Sequence, residues 1–307
     1  MNRFVLRQSF LLLLTAAIWG VAFVSQSVGM DYVGPFTFNA VRSLLGAAVL
    51  VPCIAFLKKI QKKDGEQEVH KTEDKRTLWI GGVCCGVILA VASTFQQFGI
   101  QYTTVGKAGF ITAMYIIIVP LLGIFLKKKV GLRIGVSVAI AVAGLYLLCM
   151  TENLRLETGD ILVMICALVF SFHIMVIDHF SPLADGVKMS CIQFLTCGVL
   201  CGVCMFLFEK PQLTLILAAW KPILYAGVMS CGVGYTLQIV GQKGMNPTVA
   251  SLIMSLESVI SVLAGFVLLE EVLSRKELLG CVLMFVAIVL AQLPEKAGNF
   301  RRLLRKK

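Results

Sequence analysis

The chain has 307 residues, of which 58% are apolar and only 15% charged, against about 25% charged in an ordinary soluble domain. A water-soluble fold of this length has no place for that much apolar surface, so lipid must form part of its solvent; this excludes a cytosolic enzyme, a nucleic-acid-binding protein and a disordered chain. The net charge of +11 then belongs on the cytoplasmic face of a membrane.

A bilayer-crossing helix needs about 20 mostly apolar residues, and that window finds ten segments in chain order. The first, 9–28, follows Arg3 and Arg7. It resembles a signal peptide in its flanks, but no small-x-small cleavage site ends it, so it is read as a retained helix. The second, 35–57, carries Arg42, and the polar stretch from Lys58 to Arg76 that follows is too short for a folded domain. The third and fourth, 77–99 and 104–126, meet at Thr103 and Thr104, either of which can cap the fourth. The fifth is 132–150, the sixth 159–178, the seventh 188–207 and the eighth 221–241. The ninth, 247–269, opens with Asn246 as a cap and Pro247 in its first turn. After the tenth, 277–294, comes a basic tail, 296–307, suited to anionic headgroups.

All eleven cysteines fall in apolar runs and read as small packing residues, not a disulfide framework. Cys197, Cys201 and Cys204 share helical spacing, but a metal site needs further ligands and polar support that the neighbourhood lacks. No metal and no cofactor is expected. Orientation follows from Lys and Arg: with the N-terminus inside, 21 of the 28 lie in cytoplasmic segments and six outside, with Arg42 within a span. Both termini are therefore expected in the cytoplasm, and short connections with a basic inner side suit a bacterial plasma membrane.

The two halves overlay on each other. One shift sets Trp19-Gly20 on Phe170-Ser171 and Asn39 to Arg42 on Ser190 to Gln193; another sets Gln96 on Gln238, Ala108 on Ala250, Tyr115 on Glu257 and Lys129 on Glu271, and Gly135 then falls on Gly280. Each unit holds five spans. An odd number sends the second unit into the membrane from the opposite side, as in the inverted repeats of alternating-access transporters. The units are expected over 1–150 and 151–295.

On these residues the chain also resembles a known family. Ala17-Ile18-Trp19-Gly20 with Phe23, Arg42, Gly99 to Thr104, Lys107-Ala108-Gly109-Phe110 and Pro120 carry the likeness in the first half. In the second half it is carried by Asn246-Pro247-Thr248, Ser255-Leu256-Glu257-Ser258, Glu270-Glu271 and Gly280. Together they are similar to the EamA-type ten-helix permeases of the drug/metabolite transporter superfamily. The resemblance implies an all-α integral membrane protein of ten transmembrane helices, built as two inverted five-helix EamA-like repeats. It implies a central cavity lined by spans one to four and six to nine, with spans five and ten peripheral and supporting dimers in some relatives. Ser258 stands where the family often has proline, and Lys129 where the first repeat often has an acid.

Glu257 lies eleven residues into the ninth span, about 16 Å deep at 1.5 Å per residue. A midplane carboxyl is costly unless it faces water or a partner; it can bind a cationic group, exchange a proton, or simply fix packing. Arg42 can line the cavity, form a structural ion pair, or snorkel to the outer surface. As the only basic residue well inside a span, it makes phosphorylated anions poor substrates. His173 can relay protons or sit satisfied between helices. Trp19, Tyr115 and Tyr235, the amides Gln96 and Gln238, and the hydroxyls Thr112 and Ser255 suggest a mostly apolar cavity with a few hydrogen-bonding groups. The same groups also join helices in lipid. Ser255 and Glu257 lie ~200° apart on a helix and cannot both point into one narrow cavity.

The reading is a secondary transporter that exports small organic metabolites, amino acids or amphipathic drug-like compounds, by alternating access with optional proton coupling. Its partners are a small-molecule substrate and the bilayer, with a homodimer open and no nucleic acid. A passive facilitator remains the alternative. An intramembrane enzyme needs paired deep acids, a Ser/His pair or a metal cluster, none of which the sequence brings together, and no nucleotide-binding Gly-rich Lys-Ser/Thr motif occurs.

Overall fold

The computed structural model describes residues 3–63, 74–125, 131–149, 157–268 and 274–292. Among these there are helices and turns and no strand. The basic loop beyond Lys63, Lys129, Glu270, Glu271 and the tail from Lys296 lie outside the described residues.

In the first half, α1 (Arg3–Met30), α2 (Pro35–Lys63) and α3 (Lys75–Ile100) are single long helices. The fourth apolar segment is two helices, α4 (Val105–Ala113) and α5 (Tyr115–Phe125), and α6 (Leu132–Cys149) follows. The second half repeats the plan with α7 (Thr158–Phe180) and α8 (Gly186–Phe208), then the short α9 (Leu213–Ala218). Its third segment runs α10 (Trp220–Leu224), a π-helical stretch Tyr225–Tyr235, and α11 (Thr236–Gln242). The pair α12 (Pro247–Met254) and α13 (Glu257–Leu268) precedes α14 (Arg275–Gln292).

Among the described residues, eight helical segments are long and apolar enough to cross a bilayer. Two shorter apolar stretches, Leu132–Gly144 and Leu278–Ala291, stand where the fifth and tenth crossings are expected. The polarity of the bundle is that of a protein dissolved in lipid. Its exterior shows Phe10, Phe56, Phe125, Phe206 and Leu132, each more than 60% exposed, while Gln26, Gln96, Gln97, Gln193, Gln238 and Glu257 are buried. Such an inversion is stable only where hydrocarbon replaces water.

Helix ends obey local chemistry. Thr104 caps α4, its Oγ1 accepting from the Lys107 backbone N–H at 3.3 Å, and Asn246 caps α12 through the Thr248 N–H at 2.9 Å. Asp74 caps α3; a hydrogen bond from the Thr77 hydroxyl and one from the Arg76 N–H hold its carboxyl below its ordinary value. The start of α2 is capped from the other half. Glu209, at the end of α8, accepts from the N–H groups of Phe36 and Thr37 at 2.9 and 2.8 Å and from the Thr37 hydroxyl at 2.6 Å. The turn from α11 to α12 uses Gly244 at φ 72°, a backbone region that glycine enters freely.

The halves interlock rather than sit side by side. The pairs α2 with α8 and α6 with α14 each join equivalent elements, and the contact of α5 with α12 is matched by that of α13 with α4. The contact of α3 with α7 is matched by that of α1 with the π stretch and α11, α4 with α7 by α12 with α1, and α5 with α7 by α13 with α1. A two-fold pseudo-axis through the bundle produces this pattern. Small residues permit the close approaches. A side chain on Gly20 would meet Ile260 and the Glu257 carbonyl, and one on Gly86 would meet the Gln193 carbonyl and Thr196. Gly198 packs on Leu44 in the same way, whereas Gly202 faces open space. In the α6–α14 pair it is Gly144, not Gly135, that rests on the Gly280 carbonyl.

Both second-last segments of the halves are interrupted at matching points, Met114 and Ser255-Leu256. Ser258 stands where a proline would kink the ninth segment, yet α12 still ends at Met254 and α13 restarts at Glu257. Serines supply the cause. Ser251, Ser255, Ser258 and Ser261 each donate their hydroxyl to the carbonyl three residues back, at 2.7–2.9 Å. Side-chain bonds of this kind compete with the helical ladder and bend it.

Candidate functional site

The interruptions expose polar groups to a central cavity lined by both halves. Helix α1 presents Trp19, Ala22, Phe23 and Gln26; α2 presents Arg42, α3 Gln96 and α4 Thr112. Tyr115 begins α5, Phe170 and Ile174 come from α7, Ser230 and Tyr235 from the π stretch, Gln238 from α11, and Glu257 begins α13. Residues paired by the overlay of the two halves recur here: Trp19 with Phe170, Gln96 with Gln238, and Tyr115 with Glu257. The pseudo-axis therefore runs through the cavity.

Glu257 and Tyr115 meet on that axis. The Tyr115 hydroxyl donates to Glu257 Oε1 at 2.8 Å, and both residues are buried. Each is the first residue of a restarted helix. Gln96 Nε2 donates to Thr112 Oγ1 at 3.2 Å and fixes the neighbouring wall. Trp19 and Tyr235 form a tilted aromatic pair with ring centres 4.5 Å apart. Arg42 Nε, Trp19 Nε1 and Gln238 Oε1 are buried without a protein partner, so the cavity wall offers two unused donors and one unused acceptor among the described residues.

Arg42 does not rise to the surface as a snorkelling residue would. It is 4% exposed, donates from Nη1 to Gln26 Oε1 at 2.9 Å, and lies 5.5 Å over the Phe38 ring. Two residues singled out from sequence stand outside the lining. His173 is one layer behind: its Nε2 is 2.9 Å from Gln193 Oε1, and its ring meets the edges of Phe170 and Tyr235. Ser255 gives its hydroxyl to the Leu252 carbonyl, and its separation around the helix from Glu257 keeps it off the cavity. Gln26 escapes the sequence reading, although Trp19, Phe23 and Gln26 share the i, i+4, i+7 face of α1 that would have found it. Ser230 has no such signal, because a π-helical stretch changes which residues face inward.

Polar contacts related by the same pseudo-symmetry tie helix ends together in both halves. Where α3 meets α4 and α7, the buried Asp160 pairs with Lys107 Nζ and accepts from the Thr103 hydroxyl at 3.0 Å and from the Glu157 N–H at 2.9 Å. Where α11 meets α12 and α1, Gln8 Nε2 donates to the carbonyls of Val240 and Lys243, both at 2.9 Å. Among the described residues no group of three or more His, Cys, Asp or Glu side chains is placed to hold a metal.

This architecture has known counterparts. The EamA-like transporter family matches the chain twice, over residues 6–150 and 157–293. The chain belongs to this family. It is 29% identical over 286 residues to an uncharacterized transporter of Archaeoglobus fulgidus, covering 92% of this chain and 84% of that one. It is 23% identical over 278 residues to the uncharacterized transporter YoaV of Bacillus subtilis, covering 88% and 91%. A solved crystal structure shares the fold with a TM-score of 0.72 at 17% identity, over 96% of this chain and 98% of that one. As an EamA-like permease the chain is a multi-pass membrane transporter, and its two family matches are the two halves that interlock around the cavity.

Proposed function

We propose that this permease is a secondary carrier that exports small organic molecules, amino acids or amphipathic compounds, across a bacterial plasma membrane by alternating access. The observation that carries the reading is the Tyr115–Glu257 bond, a buried acid held on the pseudo-axis between two interrupted helices. A group on the axis keeps the same surroundings when the two halves exchange conformations, so it can meet substrate or a proton from either side. The mostly apolar wall with few polar groups favours amphipathic or zwitterionic solutes. Energy comes from the substrate gradient or from protons taken up and released at Glu257. Ten crossings with both termini in the cytoplasm agree with the distribution of Lys and Arg.

Counterflow in proteoliposomes tests this directly. Vesicles preloaded with a pool of amino acids and small amphipathic cations should accumulate the labelled substrate with saturation and trans-stimulation. Flux that neither saturates nor responds to trans substrate would make the protein a passive facilitator.

A further inference from the structure

We propose that Arg42 forms an anion subsite in the cavity, and that it takes the carboxylate of an organic acid whose apolar body lies against Trp19 and Phe23. The subsite deepens the carrier reading: movement of the bound acid across the membrane rests on that reading, whereas its binding does not.

Charge accounting comes first. Arg42 is a buried guanidinium with five N–H donors. Among the described residues no acid lies within ion-pair distance of it. Its one side-chain bond goes to the neutral amide of Gln26, and its Nε has no partner at all. Glu257, the acid that shares the cavity, takes its bond from Tyr115 instead. A cation removed from water without an anion is strongly unfavourable, so the site is incomplete until a negative group enters.

The surroundings are built for that group. Gln26 is held from two sides, its side chain by Arg42 and its carbonyl by Gln97 Nε2 at 3.0 Å, which fixes the guanidinium before any ligand arrives. One helical turn before Arg42 on α2, Asn39 is fully buried with both amide atoms unpartnered, and Gln97 Oε1 is likewise unpartnered. In the cavity wall itself Arg42 Nε, Trp19 Nε1 and Gln238 Oε1 are unpartnered, and unused polar atoms there mark a place for a polar guest. The cavity wall holds one cation and no second, which matches a single carboxylate and not a phosphate dianion. Trp19 and Phe23 continue the α1 face that carries Gln26. An organic carboxylate uses that wall; an inorganic monoanion such as chloride does not.

The test uses the full chain in neutral-lipid nanodiscs with Trp79→Phe and Trp220→Phe, which leaves Trp19 as the sole tryptophan reporter. The probes are 3-phenylpropionate, its uncharged amide, and chloride at matched ionic strength. The acid should change Trp19 emission saturably at a concentration about tenfold or more below the amide. Arg42→Gln should erase that preference and Arg42→Lys should retain part of it. Should Arg42→Gln fail to fold, Gln26→Leu serves in its place and should weaken the preference. Acid and amide titrating alike, or a preference that survives Arg42→Gln, would overturn the subsite. Chloride displacing the acid at equal potency would overturn the organic carboxylate as occupant. Acid binding without counterflow would count against the carrier reading alone, and counterflow without acid preference against the subsite alone.

Discussion

Tyr115 and Glu257, 142 residues apart, are joined by a 2.8 Å hydrogen bond at the centre of the bundle. The same offset overlays the two halves, so the bond connects a position to its own repeat. One half supplies a donor and the other an acid. Divergence at this one pair turns a structural two-fold into a chemically asymmetric site.

Glu257→Gln keeps the size of the side chain and removes its titration. We expect it to abolish transport driven by a pH gradient while counterflow continues, both read in proteoliposomes. Proton-driven flux that is unchanged would reduce Glu257 to a packing residue. Tyr115→Phe removes the donor from a buried acceptor and should cost about 1–3 kcal/mol of stability, seen as a lower unfolding midpoint in detergent. In the double variant the penalties should not add, because the two residues share one bond.

Gly20 and Gly202 make opposite predictions from the same substitution. At Gly20 an added methyl would meet Ile260 and the Glu257 carbonyl at 2.5–2.8 Å, and backbone cannot yield there. Gly20→Ala should therefore destabilise by about 1–3 kcal/mol and disturb the acid it crowds. At Gly202 nothing lies within 4 Å, so Gly202→Ala should be neutral or stabilise α8 by up to about 1 kcal/mol. Thermal unfolding of both variants checks the pair, and equal effects would contradict the packing described.

Much of this was legible in the sequence because lipid simplifies the code. Apolar windows located the helical segments, and Thr104, Asn246 and Pro247 announced two helix starts by local capping chemistry. The overlay that set Tyr115 on Glu257 and Gln96 on Gln238 anticipated residues that share one cavity. What stayed hidden depends on rotation about a helix axis. His173 and Ser255 are polar and central, yet each turns towards a protein partner instead of the cavity. The π stretch that brings in Ser230 and the serine ladder that breaks the ninth segment depend on hydrogen bonding that residue types alone do not specify. Glu209 capping α2 from the opposite half is a tertiary contact with no local signature.

Sidedness has its own measurement. With the basic segments inside, a fluorescent tag fused to the C-terminus should stay cytoplasmic and remain protected from external protease. Finding it outside would remove a crossing from the count and, with it, the opposed orientation of the two halves.

The two polar ties between helix ends should respond differently to salt and to substitution. At one end Lys107, 28% exposed, pairs with the fully buried Asp160. Lys107→Met leaves a buried carboxylate supported only by the Thr103 hydroxyl and the Glu157 N–H. Breaking a buried pair from one side costs about 3–5 kcal/mol, and the partial exposure of the lysine lowers that to about 2–3. Asp160→Asn is milder, at about 1 kcal/mol, because the amide can flip to accept from the Glu157 N–H and donate to the Thr103 hydroxyl. A simple count of lost charges, one in each variant, would make the two equal. Gln8→Leu, at the other end, removes two neutral bonds to carbonyls; its cost should not change between low and high salt, whereas that of Lys107→Met should shrink as salt screens the exposed partner. Chemical unfolding at two ionic strengths separates the cases. A salt-dependent Gln8→Leu, or an Asp160→Asn more damaging than Lys107→Met, would show that these helix ends are not held by the contacts described.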